Sequence, residues 1–331
     1  MNLAERITLM VNLGKYLMED GEELKEVKQK AFENNKWFTE EFINYSFKNI
    51  STHFLDPEKL APWIQYYHLD DNVHPQKIGI VMAGNIPLVG FHDFLSVFIT
   101  GHHQMIKLSN KDDVLLKHLI EKLHQWNPKV SAVVETRPML KDCDAYIATG
   151  SNNSARYFHH YFGKYSSIIR NNKTSVAVLK GDETLSTLTC LADDVYTYFG
   201  LGCRNVTKIY VPKNYNFEML LNAFKKYNYF SDFTKYRNNY DYNLAIFLMN
   251  SQFYMTNESI ILSENENVFS PVSVLNYSFY ENEKTVFDEL KKDDNIQCIV
   301  GENHIPFGKS QEPGLFDYPD GIDTMQFLLS L

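Results

Sequence analysis

The sequence predicts an α/β protein built on a doubly wound parallel sheet, and three observations carry that reading. From residue 77 onward, short apolar runs alternate with amphipathic stretches, the signature of βαβ units. The 331 residues are 44% hydrophobic and 14% aromatic, enough for a large core and for two domains rather than one. The first 70 residues lack strand texture and repeat apolar positions at helical spacing.

The elements follow in order. Leu3, Ile7, Met10, Leu13 and Leu17 mark the first helix, and "GEELKEVKQKAFENNKWFTEEFINYSF" continues in the same style. "KIGIVMAG" is a buried parallel strand ending in glycine. "PLVGFHDFLSVFITG" predicts a helix started by Pro87 and stopped by Gly101. "QMIKLS" is a strand, and "DDVLLKHLIEKLHQW" is a helix opened by acids. "DAYIATGS" is a strand leading to Ser151, which can cap "NNSARYFHHYF". "SSIIR" and "SVAVLK" are strands, and "DETLSTLTCLADDVYTYF" is a helix. Beyond it the sequence predicts helices near 216–226 and 284–291, with strands near 244–249, 258–263, 272–280 and 296–300. The expected organisation is a helical segment over 1–70, a sheet domain over 71–199, a second α/β domain over 200–305, and a tail over 306–331 that packs back on the body.

Composition narrows the chemistry. A net charge of −9 argues against a phosphate-backbone surface, so no nucleic-acid partner is expected. No apolar run reaches the roughly 18 residues of a membrane span, and the charged N-terminus reads as neither signal peptide nor anchor. The four cysteines (Cys143, Cys190, Cys203 and Cys298) are scattered, without metal-ligand spacing or a disulfide framework. The expectation is a cytoplasmic protein with reduced thiols and no metal.

Four short motifs can carry chemistry. In "YFGLGCRNVTKIYVP", Gly200 and Gly202 break a helix and Cys203 opens the turn into a strand. Unpaired backbone N–H groups there favour a thiolate, with Arg204 and Lys208 adding positive charge; the alternative is an inert buried cysteine. Asn85 in "AGNIPLVGFHDF" stands at a strand-to-helix turn, where it can donate to an oxygen or cap the helix. Lys107 and Ser109 in "IKLSNKDD" can reach a ribose or phosphate, or be solvated at a strand end. Gly150 and Ser151 in "IATGSNNSAR" offer free helix N–H groups, although glycine also suits any tight turn.

The order of these motifs resembles the aldehyde dehydrogenase superfamily. "GNIPLVGFHDF", "YIATGSNNSARYF" and "IPFGKSQEPGLFDYPDGIDTMQFL" resemble its LuxC-type acyl-CoA reductase branch more closely, over about residues 77 to 331. The resemblance implies an aldehyde-dehydrogenase-like fold, with residues 71–199 as a Rossmann-type nicotinamide domain and residues 200–305 as the catalytic domain. It implies that Cys203 is the catalytic cysteine and Asn85 the oxyanion-hole asparagine. Lys107 would hold the adenosine ribose, Gly150 and Ser151 would lie near the pyrophosphate, and Phe269 of "ENVFSP" near the nicotinamide ribose. The glutamate of that last stretch falls on Asn267, with Glu266 one place earlier. Hydrolytic aldehyde dehydrogenases carry a Glu-Leu-Gly-Gly-Lys stretch whose Glu activates water; here "IRNNK" places Ile169 at that point. Without a base, water attack on an acyl-enzyme is slow, which favours thioester reduction over oxidation to a free acid.

The implied activity is NADPH-dependent reduction of a fatty acyl-CoA to an aldehyde through an acyl-cysteine; acyl-protein thioesters and acyl phosphates are alternative donors. NADPH is preferred because Ser109, Asn110 and Lys111 meet the ribose 2′ position without an immediate carboxylate. The resemblance also allows a homodimer, since the fold family commonly forms dimers. Two rival readings stand beside it. One is a cysteine acyltransferase or thioesterase using His92, His102 or His103 as base; the other is a non-catalytic scaffold of the same fold.

Overall fold

A computed structural model describes residues 1–331, and they divide into two compact units. The first comprises Met1–Asn172 and Pro313–Leu331, the second Lys173–Glu312.

The first unit opens with α1 (Leu3–Glu19), α2 (Glu22–Asn34), α3 (Glu40–Asn49) and α4 (Pro57–Tyr66). Asn2 starts α1 in a reciprocal capping box with Glu5, and Thr39 and Asp56 cap α3 and α4. Then come β1 (Lys77–Val81), α5 (Phe91–Thr100), β2 (His103–Lys107), α6 (Val114–Trp126), β3 (Val134–Thr136), β4 (Ala145–Thr149), α7 (Asn152–Phe162) and β5 (Ser166–Arg170). The strands form one parallel sheet in the order β3-β2-β1-β4-β5. The sheet grows from β1 first to one side and then to the other, so its topological switch point lies between β1 and β4. Every residue of α5 is buried, and its polar ones, His92, Asp93, Ser96 and Thr100, are each hydrogen-bonded.

The four N-terminal helices are part of this unit's core rather than an appendage. Leu9, Met10 and Leu13 of α1, Ile43 and Phe47 of α3, and Trp63 of α4 share one apolar cluster with Ile78, Ile80 and Ile147 of the sheet. The buried Arg6 donates from Nε to the Ile99 carbonyl, tying α1 to α5.

The second unit runs β6 (Thr174–Val178), α8 (Leu185–Tyr196), β7 (Val206–Pro212), α9 (Phe217–Phe224), α10 (Thr234–Met249), β8 (Met255–Thr256), β9 (Ile261–Glu264), β10 (Val274–Tyr280), α11 (Glu283–Leu290) and β11 (Ile296–Val300). Its six strands lie in the order β11-β6-β7-β10-β9-β8, all parallel except the two-residue β8. Tyr196, Phe199, Phe224, Tyr227, Phe230 and Tyr236 stack edge and face into an aromatic core beside α8.

Three details depart from the sequence reading. The compact units part between Asn172 and Lys173 rather than near residue 200, because β6 pairs with β7 and β11. Residues 244–249 end α10 instead of forming a strand; a short apolar run such as "LAIFLM" has no period that separates the two states. Helix α5 starts at Phe91, not at Pro87, because Leu88 takes a left-handed φ of +56° and interrupts the turn.

Among the last residues, α12 (Thr324–Leu329) and the segment before it return to the first unit. Trp63 Nε1 donates to Tyr318 Oη at 2.9 Å, which donates on to Tyr67 Oη at 2.8 Å and thence to Asp323 at 2.7 Å. Buried Arg170 donates to Asp93 Oδ2 at 2.5 Å and to Thr324 Oγ1 at 2.9 Å. No helix is long and apolar enough to cross a membrane.

Candidate active site

In the first unit, the residues singled out in the sequence gather at the carboxyl edge of the parallel sheet. Asn85 follows β1, Lys107 ends β2 with Ser109 just beyond, and Gly150 and Ser151 follow β4. β1 and β4 flank the switch point, where ligands bind in open parallel α/β sheets, and β2 lies beside β1. The strand ends are level, since Val81 pairs with both Lys107 and Ala148.

Two close approaches shape this edge. A Cβ at Gly84 would fall 2.6 Å from Ser109 Oγ and 2.7 Å from Ser109 Cβ, so only glycine lets the β2 loop lie against the end of β1. A Cβ at Gly150 would fall 2.9 Å from both Ser154 Cβ and Phe158 Cε2, where the turn meets α7. Ser151 caps α7 by accepting from the Ser154 N–H at 3.3 Å. The first-turn N–H groups of α7 therefore head an eleven-residue helix at this edge, a disposition suited to an anionic phosphate. The narrow Gly84–Ser109 step, the exposed Lys107 and the α7 N-terminus together fit a nucleotide cofactor.

The half-buried Asn85 sits in a loop held from outside the sheet. Ser46 of α3 donates to the Pro87 carbonyl at 2.9 Å, and the Leu88 N–H donates to Asp112 Oδ2 at 2.7 Å. Burial pushes the Asp112 carboxyl up to about 7, with a smaller push from Asp113, while the Leu88 bond opposes both. Its second oxygen, Oδ1, is buried without a hydrogen-bond partner. The Lys107–Asp113 loop is in turn held by α2. Asn35 Nδ2 donates to the Lys111 carbonyl at 3.2 Å, and Asn34 Nδ2 to the Asn110 carbonyl at 3.3 Å and to Asp113 Oδ1 at 3.1 Å. The N-terminal helices thus brace both loops, a role that their helical pattern alone did not signal.

In the second unit, Cys203 is half-buried in the turn between α8 and β7. Tyr198 and Phe199 precede it with φ of +57° and +56°, two buried aromatic residues in the left-handed region. What holds this strained turn is Asn205, which sequence reasoning missed. Its fully buried Oδ1 accepts from the Gly202 N–H at 2.7 Å. Its Nδ2 faces the carbonyls of Thr197 at 2.8 Å, Asp194 at 3.1 Å and Val195 at 3.3 Å. One side chain therefore satisfies the open end of α8 and the turn carrying the cysteine. Ser175 of β6 adds a bond from Oγ to the Cys203 carbonyl at 3.0 Å and touches Cys298 Sγ at 3.0 Å.

Phe269 lies in the connection from β9 to β10, half-buried, and that connection is fastened over the start of β7. Thr207 Oγ1 donates to the Val268 carbonyl at 2.6 Å and Lys208 Nζ to the Glu266 carbonyl at 2.8 Å. Cys203 and Phe269 thus lie at the same end of the second sheet. Lys208, read from the sequence as a charge serving the cysteine, is fully buried with its ammonium on Glu266. Ile169 is half-buried on β5 between Ile168 and Arg170.

Two of the three histidines proposed as a rival general base are committed elsewhere. His92 is buried with Nε2 donating to the Leu315 carbonyl at 3.0 Å. His102 accepts from the Gln76 N–H at Nδ1 and donates from Nε2 to the Leu328 carbonyl, and burial lowers its basicity.

Comparison with known proteins agrees with this architecture. The family model described as acyl-CoA reductase (LuxC) matches residues 63–223, a span that contains Asn85, Lys107, Ser109, Gly150, Ser151 and Cys203. Solved structures of similar fold include an indole-3-acetaldehyde dehydrogenase of P. syringae in complex with NAD+ and IAA, with 12% identity and a TM-score of 0.62. The likeness covers 91% of this chain and 72% of that one. An NAD+ complex of an aldehyde dehydrogenase from Bacillus cereus gives 13% identity, a TM-score of 0.62 and the same coverages. One from Mycobacterium tuberculosis, also with NAD+, gives 14% identity and 0.62 over 87% of this chain and 70% of that one. No curated protein sequence matches the chain. Over residues 63–223 the chain is thus similar to the LuxC acyl-CoA reductase family, and as a whole it carries the aldehyde dehydrogenase fold.

Proposed function

We propose that this chain reduces an acyl thioester, most simply a fatty acyl-CoA, to an aldehyde through an acyl-cysteine on Cys203. The observation that carries the reading is the acyl-CoA reductase match over residues 63–223, because it spans the cysteine and five of the other residues assigned to the site. The Cys203 thiolate attacks the thioester carbonyl, the C–S bond to CoA breaks, and the CoA thiolate leaves. The Cys203 backbone N–H, with the Asn85 amide assigned by family resemblance, is the donor set for the oxyanion; such a donor contributes roughly 3 kcal/mol. Nothing at Ile169 can activate water, so the acyl-cysteine persists. A reduced nicotinamide, when bound, supplies the two electrons and the hydrogen that take the acyl carbonyl to the aldehyde and return the cysteine thiolate.

Lys107, Ser109, Gly150, Ser151 and Phe269 are the residues proposed to hold that cofactor. NADPH rather than NADH is favoured by how the nearby carboxylates are used. Asp112 is buried on the Leu88 N–H and Asp113 accepts from Asn34, while Lys107 and Lys111 are exposed on the same loop. That several solved structures of this fold are NAD+ complexes supports a nicotinamide cofactor.

The test is intact-mass spectrometry after mixing protein with acyl-CoA. An acyl adduct is expected that disappears on adding NADPH, with equimolar loss of nicotinamide absorbance, and that Cys203→Ala does not form. Release of CoA without NADPH consumption would overturn the reductive step, and an adduct on Cys203→Ala would overturn the nucleophile.

A further inference from the structure

The connection between β9 and β10 is held in an unusual way. Five consecutive main-chain carbonyls, Asn265 to Phe269, accept side-chain hydrogen bonds from the sheet beneath. The donors are Ser278 to Asn265 at 3.3 Å, Lys208 to Glu266 at 2.8 Å, Asn276 to Asn267 at 2.9 Å and to Phe269 at 3.1 Å, and Thr207 to Val268 at 2.6 Å. Lys208 and Asn276 are partners in register on adjacent parallel strands, so both reach the loop from one face of the sheet.

Among these donors Lys208 is the costly one. An ammonium with no exposed surface pays a desolvation penalty that a threonine or methionine in the same strand would avoid. The Glu266 carboxylate, 3.5 Å away, is 91% exposed and well solvated, so it offsets little of that. The face of Tyr210, 4.8 Å from Nζ, contributes a cation–π contact, and the short bond to the Glu266 carbonyl contributes the rest. A buried lysine in a central strand is therefore explained by the loop it fastens.

We propose that Lys208 is a positioning residue for the reductive half of the reaction: by holding the 265–269 loop over the start of β7 it sets Phe269 for the nicotinamide ribose, and acylation of Cys203 does not depend on it. This rests on the function proposed above, and two readouts keep the two ideas apart. Nicotinamide affinity is measured by titrating reduced-nicotinamide fluorescence. Acylation is measured without cofactor, by the rate of the intact-mass adduct.

Lys208→Met is expected to bind NADPH about tenfold or more weakly while forming the adduct within about threefold of the wild-type rate. Thr207→Val, which removes the other β7 donor, should shift affinity in the same direction. Lys208→Arg should restore most of it, because a cationic donor returns. Glu266→Gln should change neither readout, since the bond goes to the main chain. Unchanged affinity in Lys208→Met, or adduct formation falling in parallel with affinity, would overturn the proposal. If Lys208→Met does not fold, unchanged affinity in Thr207→Val does so. If the wild-type protein forms no adduct, the reaction reading fails, and the fluorescence titration still decides whether Lys208 sets the loop.

Discussion

Asn205 shows how much of the cysteine turn rests on one neutral side chain. Its amide presents an acceptor to the Gly202 N–H and donors to three carbonyls at the end of α8. Aspartate keeps the acceptor but turns a carboxylate oxygen on those carbonyls. Asn205→Asp should therefore destabilise at least as much as Asn205→Ala, by roughly 3 kcal/mol in chemical denaturation, and both should abolish the acyl adduct. A substantially milder Asp variant would show that the Gly202 bond alone holds the turn. In the sequence the turn that carries the cysteine was legible, because glycines and a strand entry frame it. Asn205 was not, because nothing in "CRNV" says that a polar residue there is fully buried. Lys208 did leave a signal. Alternation in "VTKIYV" puts it on the same strand face as Val206 and Tyr210, a local conflict that marks a residue held for a reason.

At the scale of elements, what the sequence could not show is how loops from different segments hold one another. Each strand-to-helix turn was readable by itself, yet Asp112 fastens the Asn85 loop and the end of α2 fastens the Asp112 loop. These pairings span 24 and 76 residues, beyond the reach of any local pattern. Asp112 also makes the coupling titratable. Its carboxyl is raised to about 7 in the folded protein, chiefly by burial, against about 4 for a solvated aspartate. A raised acid favours folding in its protonated form. That contribution is complete below about pH 4 and is lost as pH rises through about 7. Asp112→Asn keeps an acceptor for the Leu88 N–H and cannot ionise. Its stability relative to wild type should therefore increase by roughly 2–4 kcal/mol between pH 4.5 and 8, measured by urea unfolding at each pH. A difference that stays flat with pH would mean that Asp112 is ionised in the fold at little cost.

For the whole molecule, the alternating pattern and the order of motifs made the α/β class and most of the strands readable, while the point where the two units part and the path of the chain between them were not. The chain leaves the first unit after Asn172 and returns at Pro313, so that unit is discontinuous and the second, Lys173–Glu312, is contiguous. The returning segment completes the first unit's core. Leu315, Tyr318, Met325 and Leu328 are buried in its apolar cluster, and Tyr318 and Thr324 receive the bonds of Trp63 and Arg170. Four large buried side chains at about 1.5–3 kcal/mol each amount to roughly 6–12 kcal/mol, comparable with the 5–15 kcal/mol that stabilises a typical domain. Residues 1–172 alone should therefore fail to unfold cooperatively. Residues 173–312, with their own six-stranded sheet and aromatic core, should do so as an isolated fragment. Adding a peptide of residues 313–331 should restore a cooperative transition to 1–172, because it returns the Thr324 acceptor to Arg170, which otherwise keeps its buried partner Asp93 and a long bond to Thr149. Circular dichroism with urea titration of the fragments, with and without the peptide, decides the matter: a cooperative 1–172 fragment lacking the peptide would show that the tail decorates a core already complete.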